Sequence, residues 1–151
     1  PGAATADCLR QFAENLRFAA DALNPHGIRV LVEAINLDDV PGFLVNRTGD
    51  ALAVVEAAAA GSGRDIAVQA DLYHMARMGE DHGTALATLG RRLGHIQFAD
   101  VPGRGEPGSG ALDWRHLFAA VDSAGYDGVA AAEYNPTRRT EETLAWMHTV
   151  S

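Results

Sequence analysis

Four short apolar segments recur along the chain, and each is followed by a longer segment with the composition of a helix. Apolar runs of this length, rich in Val, Ile and Ala and bounded by turn residues, are typical of buried strands. Strands that alternate with helices favour parallel β/α units over an antiparallel meander. The predicted strands are IRVLVEAIN (28–36), IAVQADLY (66–73), GHIQFAD (94–100) and GVAAAEY (128–134).

The segments around these strands predict the helices of the units. The first helix precedes the first strand and places apolar residues on one face from Leu9 to Leu23, where Pro25 and Gly27 end it. We therefore expect residues 1–151 to form a single domain of parallel (β/α) units. The helices predicted after the strands are GDALAVVEAAAA (49–60), TALATLGRR (84–92), WRHLFAAVDSAG (114–125) and TEETLAWMH (140–148).

Each predicted strand ends near a side chain that offers an oxygen atom. Side chains alternate between the two faces of a strand, so these residues share a face with the residue two positions earlier. Parallel strands bring their carboxyl ends to one rim, where α/β barrels keep their active sites. We expect four oxygen donors to converge there: Glu33, Asp71, Gln97 and Glu133.

Clustered carboxylates at one rim require an explanation. For each residue alone, capping of the next helix or binding of loop amides stays open as an alternative. Three carboxylates without a nearby lysine repel one another unless they are protonated, paired with arginine or bound to a cation. Carboxylate and amide oxygens suit a hard divalent ion, Mg²⁺ or Mn²⁺, whereas zinc favours more nitrogen or sulfur.

Composition narrows the classes of ligand. The 151 residues carry twelve arginines, no lysine and twenty acidic residues, for a net charge of -8. This charge repels nucleic-acid backbones and favours a small polar substrate. Cys8 is the only cysteine, which excludes an intrachain disulfide and favours a reducing cytoplasm. No apolar run is long enough to predict a membrane span.

Several motifs in order resemble one known family. They are VEAIN (32–36), DLYHM (71–75), HIQFAD (95–100), PGRGEPGSG (102–110), YDG (126–128) and EYNP (133–136). Together they resemble hydroxypyruvate isomerase, within the xylose-isomerase-like superfamily of (β/α)₈ TIM barrels. The resemblance covers essentially the whole chain and corresponds to strands five to eight, the C-terminal half of that barrel.

The resemblance implies an isomerase that interconverts hydroxypyruvate and tartronate semialdehyde through an enediolate. Glu33 and Glu133 would be the paired acid and base, and they would hold the metal together with Asp71 and Gln97. A related epimerase usually has histidine where Gln97 stands, so the glutamine favours the hydroxypyruvate isomerase branch. The residues implied to contact substrate are His74, Arg104 and, more weakly, Asp39.

Residues 103–110, GRGEPGSG, resemble a phosphate-binding loop only superficially. They lack the lysine followed by Ser or Thr of a P-loop, and Pro107, together with Pro102 just before the stretch, favours a shaped loop that closes over substrate. Within that loop Arg104 is the candidate for a substrate carboxylate, although a salt bridge to Glu106 or Asp100 is an alternative.

Other readings stay open at this point. A 2-oxo-tetronate isomerase or a ketose 3-epimerase would use the same glutamates and metal. An apurinic-site endonuclease would need a histidine-rich metal cluster and DNA contacts, which the acidic balance and the few histidines at the rim disfavour. The alternative that is not an enzyme is a half-barrel that folds or oligomerises without catalysing a reaction. Four strands also leave two open edges, so we expect either a piece of a longer barrel or a homo-oligomer.

Overall fold

The computed structural model of the protein describes residues 3–148, which form one sheet of four parallel strands with helices between them. The strands are β1 (Val30–Glu33), β2 (Ile66–Asp71), β3 (Leu93–Phe98) and β4 (Ala130–Ala132). The helices are α1 (Ala3–Leu23), α2 (Thr48–Ala59), α3 (Leu72–Arg77), α4 (His82–Leu89), α5 (Trp114–Ser123) and α6 (Thr140–Thr143).

The strands pair in chain order, β1 to β2 to β3 to β4, and every pair is parallel. The register sets Glu33 opposite Gln69 and Asp71 opposite Gln97. The predicted parallel β/α fold is therefore confirmed. Each strand is shorter than its predicted segment. β1 and β4 keep only the central residues, β2 ends two residues early, and β3 begins one residue early and ends at Phe98.

The two faces of the sheet differ as the alternation predicts. Val32, Ile66, Val68, Ile96 and Phe98 are buried against the helices. The opposite face carries the polar residues of the rim. Gly94 also lies on this face, and glycine is needed there because a β-carbon would lie 2.6 Å from Leu31 Cδ2. The register shifts at this point, so that Val68 pairs with Leu93 and Gln69 with His95. This bulge keeps Leu93 on the helix side while His95 and Gln97 share the polar face.

Two predicted boundaries are wrong in an informative way. Strand β2 ends at Asp71, and Leu72 and Tyr73 already belong to α3, because the Asp71 carboxylate caps that helix by accepting a hydrogen bond from Tyr73 N at 2.9 Å. The helix predicted over 140–148 is α6 followed by a 3₁₀ segment, Leu144–His148. Within residues 3–148, no helix combines the length and the hydropathy that a membrane span requires.

Candidate active site at the carboxyl rim of the sheet

Two neighbouring strands, β1 at the edge of the sheet and β2 beside it, bring carboxylates to one point on the rim. Glu33 is the last residue of β1, Asp71 is the last residue of β2, and His74 follows on the first turn of α3. His74 Nε2 lies 3.8 Å from Glu33 Oε1 and 3.6 Å from Asp71 Oδ2. One atom from each of the three residues lies within 4.8 Å of the others, so the group could hold a metal ion.

Burial makes this cluster electrostatically unusual. The Asp71 side chain is fully buried, and Glu33 Oε1 is buried without a hydrogen-bond partner in the described part of the chain. Burial, reinforced by the charge of Asp71, raises the pKa of Glu33 to about 7, and burial raises the pKa of Asp71 to about 6. Burial, with the nearby Arg104 charge, lowers the pKa of His74 to about 4. At neutral pH the cluster thus has negative charge and a neutral imidazole.

Arg104 supplies the positive charge next to these carboxylates. Its guanidinium lies 3.4 Å from Asp71 Oδ2, forms a short ion pair with Glu133, and stacks over the Tyr73 ring with Cζ 5.1 Å from the centroid. The alternative that Arg104 pairs with Glu106 or Asp100 is wrong. The backbone of Arg104 has φ 53°, a left-handed conformation that residues other than glycine rarely adopt and that is frequent at functional sites.

A buried aspartate fixes the loop that carries Arg104. Asp100 follows β3 and is 1% exposed. Its carboxylate accepts hydrogen bonds from Gly108 N at 2.8 Å, Leu112 N at 3.1 Å and Trp114 Nε1 at 3.0 Å. The backbone passes so close that a β-carbon on Gly110 would lie 2.6 Å from Asp100 Oδ1. Glycine in this loop therefore permits a close approach to Asp100.

The loop is also tied to the segment that follows β4. Glu106 is buried and accepts hydrogen bonds from Thr137 N at 3.0 Å and Thr137 Oγ1 at 2.5 Å. Asn135 N donates to Arg104 O at 2.7 Å. Arg104 and Glu133 are consequently held by the same pair of loops, which positions the arginine at the rim.

A second polar network, which the motifs did not predict, lies behind His74. Asn36 is fully buried, and its Nδ2 lies 2.6 Å from His74 Nδ1 and 2.9 Å from Asp39 Oδ2. Tyr73 also donates its hydroxyl to Asp39 Oδ2 at 2.8 Å. Although burial opposes it, these two hydrogen bonds hold the pKa of Asp39 below its ordinary value. The Asn at the end of VEAIN was the available signal, but an amide in a loop is too common to single out.

Gln97 lies on the same face but has a protein partner. Its Oε1 accepts a hydrogen bond from Gln69 Nε2 at 2.5 Å. Of the predicted site residues, the structure joins Glu33, Asp71, His74 and, through Arg104, Glu133. Asp39 reaches this group only through Asn36 and Tyr73, and Gln97 lies opposite Asp71 in the register.

The residues of the rim fit a divalent cation. Glu33 Oε1 is a buried acceptor with no donor among the described residues, and two carboxylates have raised pKa values because they share a desolvated site. A cation would relieve both costs. The donor atoms are mainly oxygen, which suits a hard ion.

Comparison with known proteins assigns the chain to a family. Residues 1–150 match the family described as "Xylose isomerase-like TIM barrel", and the chain belongs to that family. The resemblance deduced from the motifs is thereby confirmed.

Individual relatives share the chain's sequence and fold over about half of their own length. The chain is 37% identical to hydroxypyruvate isomerase of Escherichia coli over 89% of this chain and 51% of that protein. It is 39% identical to 2-oxo-tetronate isomerase of Cupriavidus necator, over 94% of this chain and 54% of that protein. The crystal structure of an AP endonuclease, family 2, from Brucella melitensis superimposes with a TM-score of 0.88 at 39% identity, covering 96% of this chain and 55% of that one.

Proposed function

We propose that the chain is the metal- and substrate-binding half of an isomerase that interconverts hydroxypyruvate and tartronate semialdehyde. The observation that carries the proposal is the pair of carboxylates, partly buried Glu33 and buried Asp71, beside buried His74 at the carboxyl rim of a parallel sheet. The names of the relatives from E. coli and C. necator support an isomerase of small hydroxy-keto acids.

In this proposal two glutamates move the proton. One of Glu33 and Glu133 removes a proton from carbon, and the other returns a proton to the adjacent carbon, so that carbonyl and hydroxyl exchange places through an enediolate. Glu33 is suited to this role because burial raises its pKa to about 7, close to neutral pH. Arg104 holds the Glu133 carboxylate at the rim and offers its guanidinium to a substrate carboxylate.

The proposed ligands of the cation are the oxygen atoms of Glu33, Asp71, Gln97 and Glu133, and the proposed ion is Mg²⁺ or Mn²⁺. When bound, such an ion polarises the substrate carbonyl and offsets developing negative charge. His74 donates to a substrate oxygen, and Asp39 supports it through Asn36 and Tyr73. Because Asp71 is shielded from water, the electrostatic interactions of the proposed cation and of His74 next to it are stronger than they would be in bulk water.

The test is turnover of hydroxypyruvate by the purified chain, with EDTA and then with added Mn²⁺. Glu33→Gln and Glu133→Gln should each lower the rate of proton exchange by at least about 100-fold, because each removes an acid or base. Glu14→Gln, on the exposed face of α1, is the matched control and should keep the wild-type rate. Wild-type exchange in either site variant, or turnover unaffected by EDTA, would overturn the two-glutamate mechanism.

Two further activities use the same rim. A 2-oxo-tetronate isomerase or a ketose 3-epimerase would act on a longer substrate, and product analysis separates them because an epimerase retains the ketone. The name of the Brucella protein adds abasic-site cleavage as an assay. We do not expect that cleavage, because the net charge is -8 and the metal-competent group among the described residues contains a single histidine.

The open edges of the sheet support a homo-oligomer. Strands β1 and β4 each pair on one side only among the described residues, and the exposed residues Ile28 and Val129 precede them. A twofold axis along the barrel axis would keep all strands parallel and pair β4 of one copy with β1 of the other. Each copy contributes half of an eight-stranded barrel in this arrangement. A chain that does not self-associate would instead be a half-barrel that needs another polypeptide segment or has no turnover.

Light scattering across a wide concentration range tests this arrangement. Two copies bring the carboxylates of both rims to one mouth, so Mn²⁺ should strengthen association and EDTA should weaken it. A mass near twice 15.9 kDa is expected with Mn²⁺. A monomer at every concentration, with and without the ion, would contradict the homo-oligomer.

A further inference from the structure

The hydrogen bonds around His74 define which of its ring nitrogens carries the proton. Asn36 N, a backbone donor, lies 3.4 Å from His74 Nδ1, and Asn36 Nδ2 lies 2.6 Å from the same atom. Both groups can only donate, so Nδ1 must accept. The single proton of the neutral imidazole is therefore on Nε2.

The orientation of the Asn36 amide is fixed independently of His74. Asp39 N donates to Asn36 Oδ1 at 2.9 Å, and Asn36 Nδ2 donates to Asp39 Oδ2 at 2.9 Å. Exchange of the amide oxygen and nitrogen would set donor against donor and acceptor against acceptor. The Tyr73 hydroxyl donates to the same Asp39 oxygen, Oδ2, which helps to keep the network in place.

This tautomer decides between two roles for His74. A histidine that ligates a metal does so through an unprotonated nitrogen and donates its other N–H to a carboxylate or carbonyl. His74 has the reverse arrangement, since Nδ1 accepts from Asn36 and Nε2–H points toward the carboxylates. At 3.8 Å from Glu33 Oε1 and 3.6 Å from Asp71 Oδ2, neither contact is a hydrogen bond.

We propose that Asn36 is a positioning residue that keeps His74 as an Nε2–H donor, so that His74 contacts a substrate oxygen and is not a metal ligand. The part that concerns substrate rests on the proposed function, whereas the tautomer does not. A carbonyl or hydroxyl oxygen of a small hydroxy-keto acid is the acceptor that this donor fits. The carboxylates of Glu33 and Asp71 are then left for the cation.

Long-range ¹H–¹⁵N spectra of the ¹⁵N-labelled chain read the tautomer directly. The His74 signals are assigned by their loss in His74→Gln. We expect Nδ1 in the unprotonated range and Nε2 in the protonated range, and we expect both to stay there when Mg²⁺ is added. An Nδ1–H tautomer in the wild-type chain, or loss of the Nε2 proton on addition of Mg²⁺, would overturn the proposal.

Asn36→Asp tests the role of the amide. The new carboxylate accepts instead of donating, so the His74 Nδ1 signal should move to the protonated range, which a merely structural defect would not cause. Asn15→Asp makes the same change in charge on the exposed face of α1 and should leave the His74 signals in place. An unmoved Nδ1 signal in a folded Asn36→Asp variant would contradict control by Asn36.

The two proposals fail in different ways. If the chain does not turn over hydroxypyruvate, the spectra still report the tautomer. If the tautomer is wrong, metal-dependent turnover and its loss in Glu33→Gln are still measurable. The wild-type spectra decide the question of the tautomer even if the Asn36 variant does not fold.

Discussion

The centre of the sheet and its β4 edge hold their carboxylates in different ways. At the centre, Asp71 ends a strand that pairs on both sides, its side chain is fully buried, and one of its oxygens caps α3. At the edge, Glu133 follows a three-residue strand, its side chain is 52% exposed, and its side-chain partner is Arg104. The central part of the site is thus built by this chain, whereas the edge needs a further element to enclose it.

This difference has a physical origin in the number of neighbours. A residue at the end of a central strand is covered by the strands on either side and by the helix that follows. A residue beside an edge strand is covered on one side only, so its ion pair remains accessible to water and contributes little to stability. The half-barrel can therefore prearrange Asp71 without fully ordering Glu133.

The largest effect is expected from the buried carboxylate next to the centre. Asp100→Ala leaves the donors of Gly108, Leu112 and Trp114 without their acceptor. The Trp114 donor is buried and the two backbone donors are partly buried. An unsatisfied buried donor costs about 1–3 kcal/mol, so we expect the free energy of unfolding to fall by about 3 kcal/mol. Urea denaturation monitored by circular dichroism measures this change.

Asp122→Ala is the matched control for this variant. Asp122 is an exposed residue of α5, and its removal should change the free energy of unfolding by no more than about 0.5 kcal/mol. Equal effects of the two substitutions would mean that Asp100 does not hold the loop, and the proposed positioning of Arg104 would lose its support.

The pH dependence of stability tests whether Glu33, at the end of β1, is a desolvated carboxyl. The pKa of Glu33 is raised from 4.5 to about 7 in the folded protein. A carboxyl with a raised pKa binds more protons in the folded than in the unfolded state. Its contribution to the free energy of unfolding is therefore fully present below about pH 4.5 and is lost as the pH rises through about 7. Without metal, the stability of the wild type relative to Glu33→Gln should fall by on the order of 2 kcal/mol over this range.

The comparison with Glu33→Gln is needed because His74 acts in the opposite direction. Its pKa is lowered to about 4, so its contribution is lost as the pH falls and largely cancels when two chains that both contain it are compared. Urea midpoints at several pH values in EDTA give the difference. A stability difference that stays constant, or that grows as the pH rises, would show that Glu33 is not a desolvated carboxyl. Mn²⁺ should reverse the trend, since cation binding requires the ionised form.

Much of the centre was predictable from sequence, and the reason is local. Short apolar runs bounded by turn residues identified four strands, and the parallel order followed from the helices between them, so Glu33 and Asp71 were expected to meet at one rim. Capping was left open as the role of Asp71, and the structure gives it one oxygen for the cap and one that faces Arg104.

What sequence reasoning missed depends on contacts between distant segments. Asn36 and His74 are 38 residues apart, and no local pattern marks an asparagine as the partner of a histidine. The end of β2 was misplaced because Leu72 and Tyr73 are as apolar as the strand, and only the cap on Tyr73 N decides where the helix begins. The pairing of Arg104 likewise depends on a loop held by Asp100, which periodicity does not reveal.

The smallest effect is expected at the β4 edge. Glu133→Gln removes the charge that pairs with Arg104, but because the side chain is half exposed, the free energy of unfolding should change by no more than about 1 kcal/mol. Glu141→Gln, which affects a 3.7 Å surface pair with Arg139, should give a similarly small change in urea denaturation. If Glu133→Gln lowered the free energy of unfolding by more than about 2 kcal/mol, the Glu133–Arg104 pair would be behaving as a buried ion pair, and the contrast with the centre of the sheet would be wrong. If the variant instead weakens association in Mn²⁺ while monomer stability is kept, Glu133 becomes ordered only when a further strand covers β4.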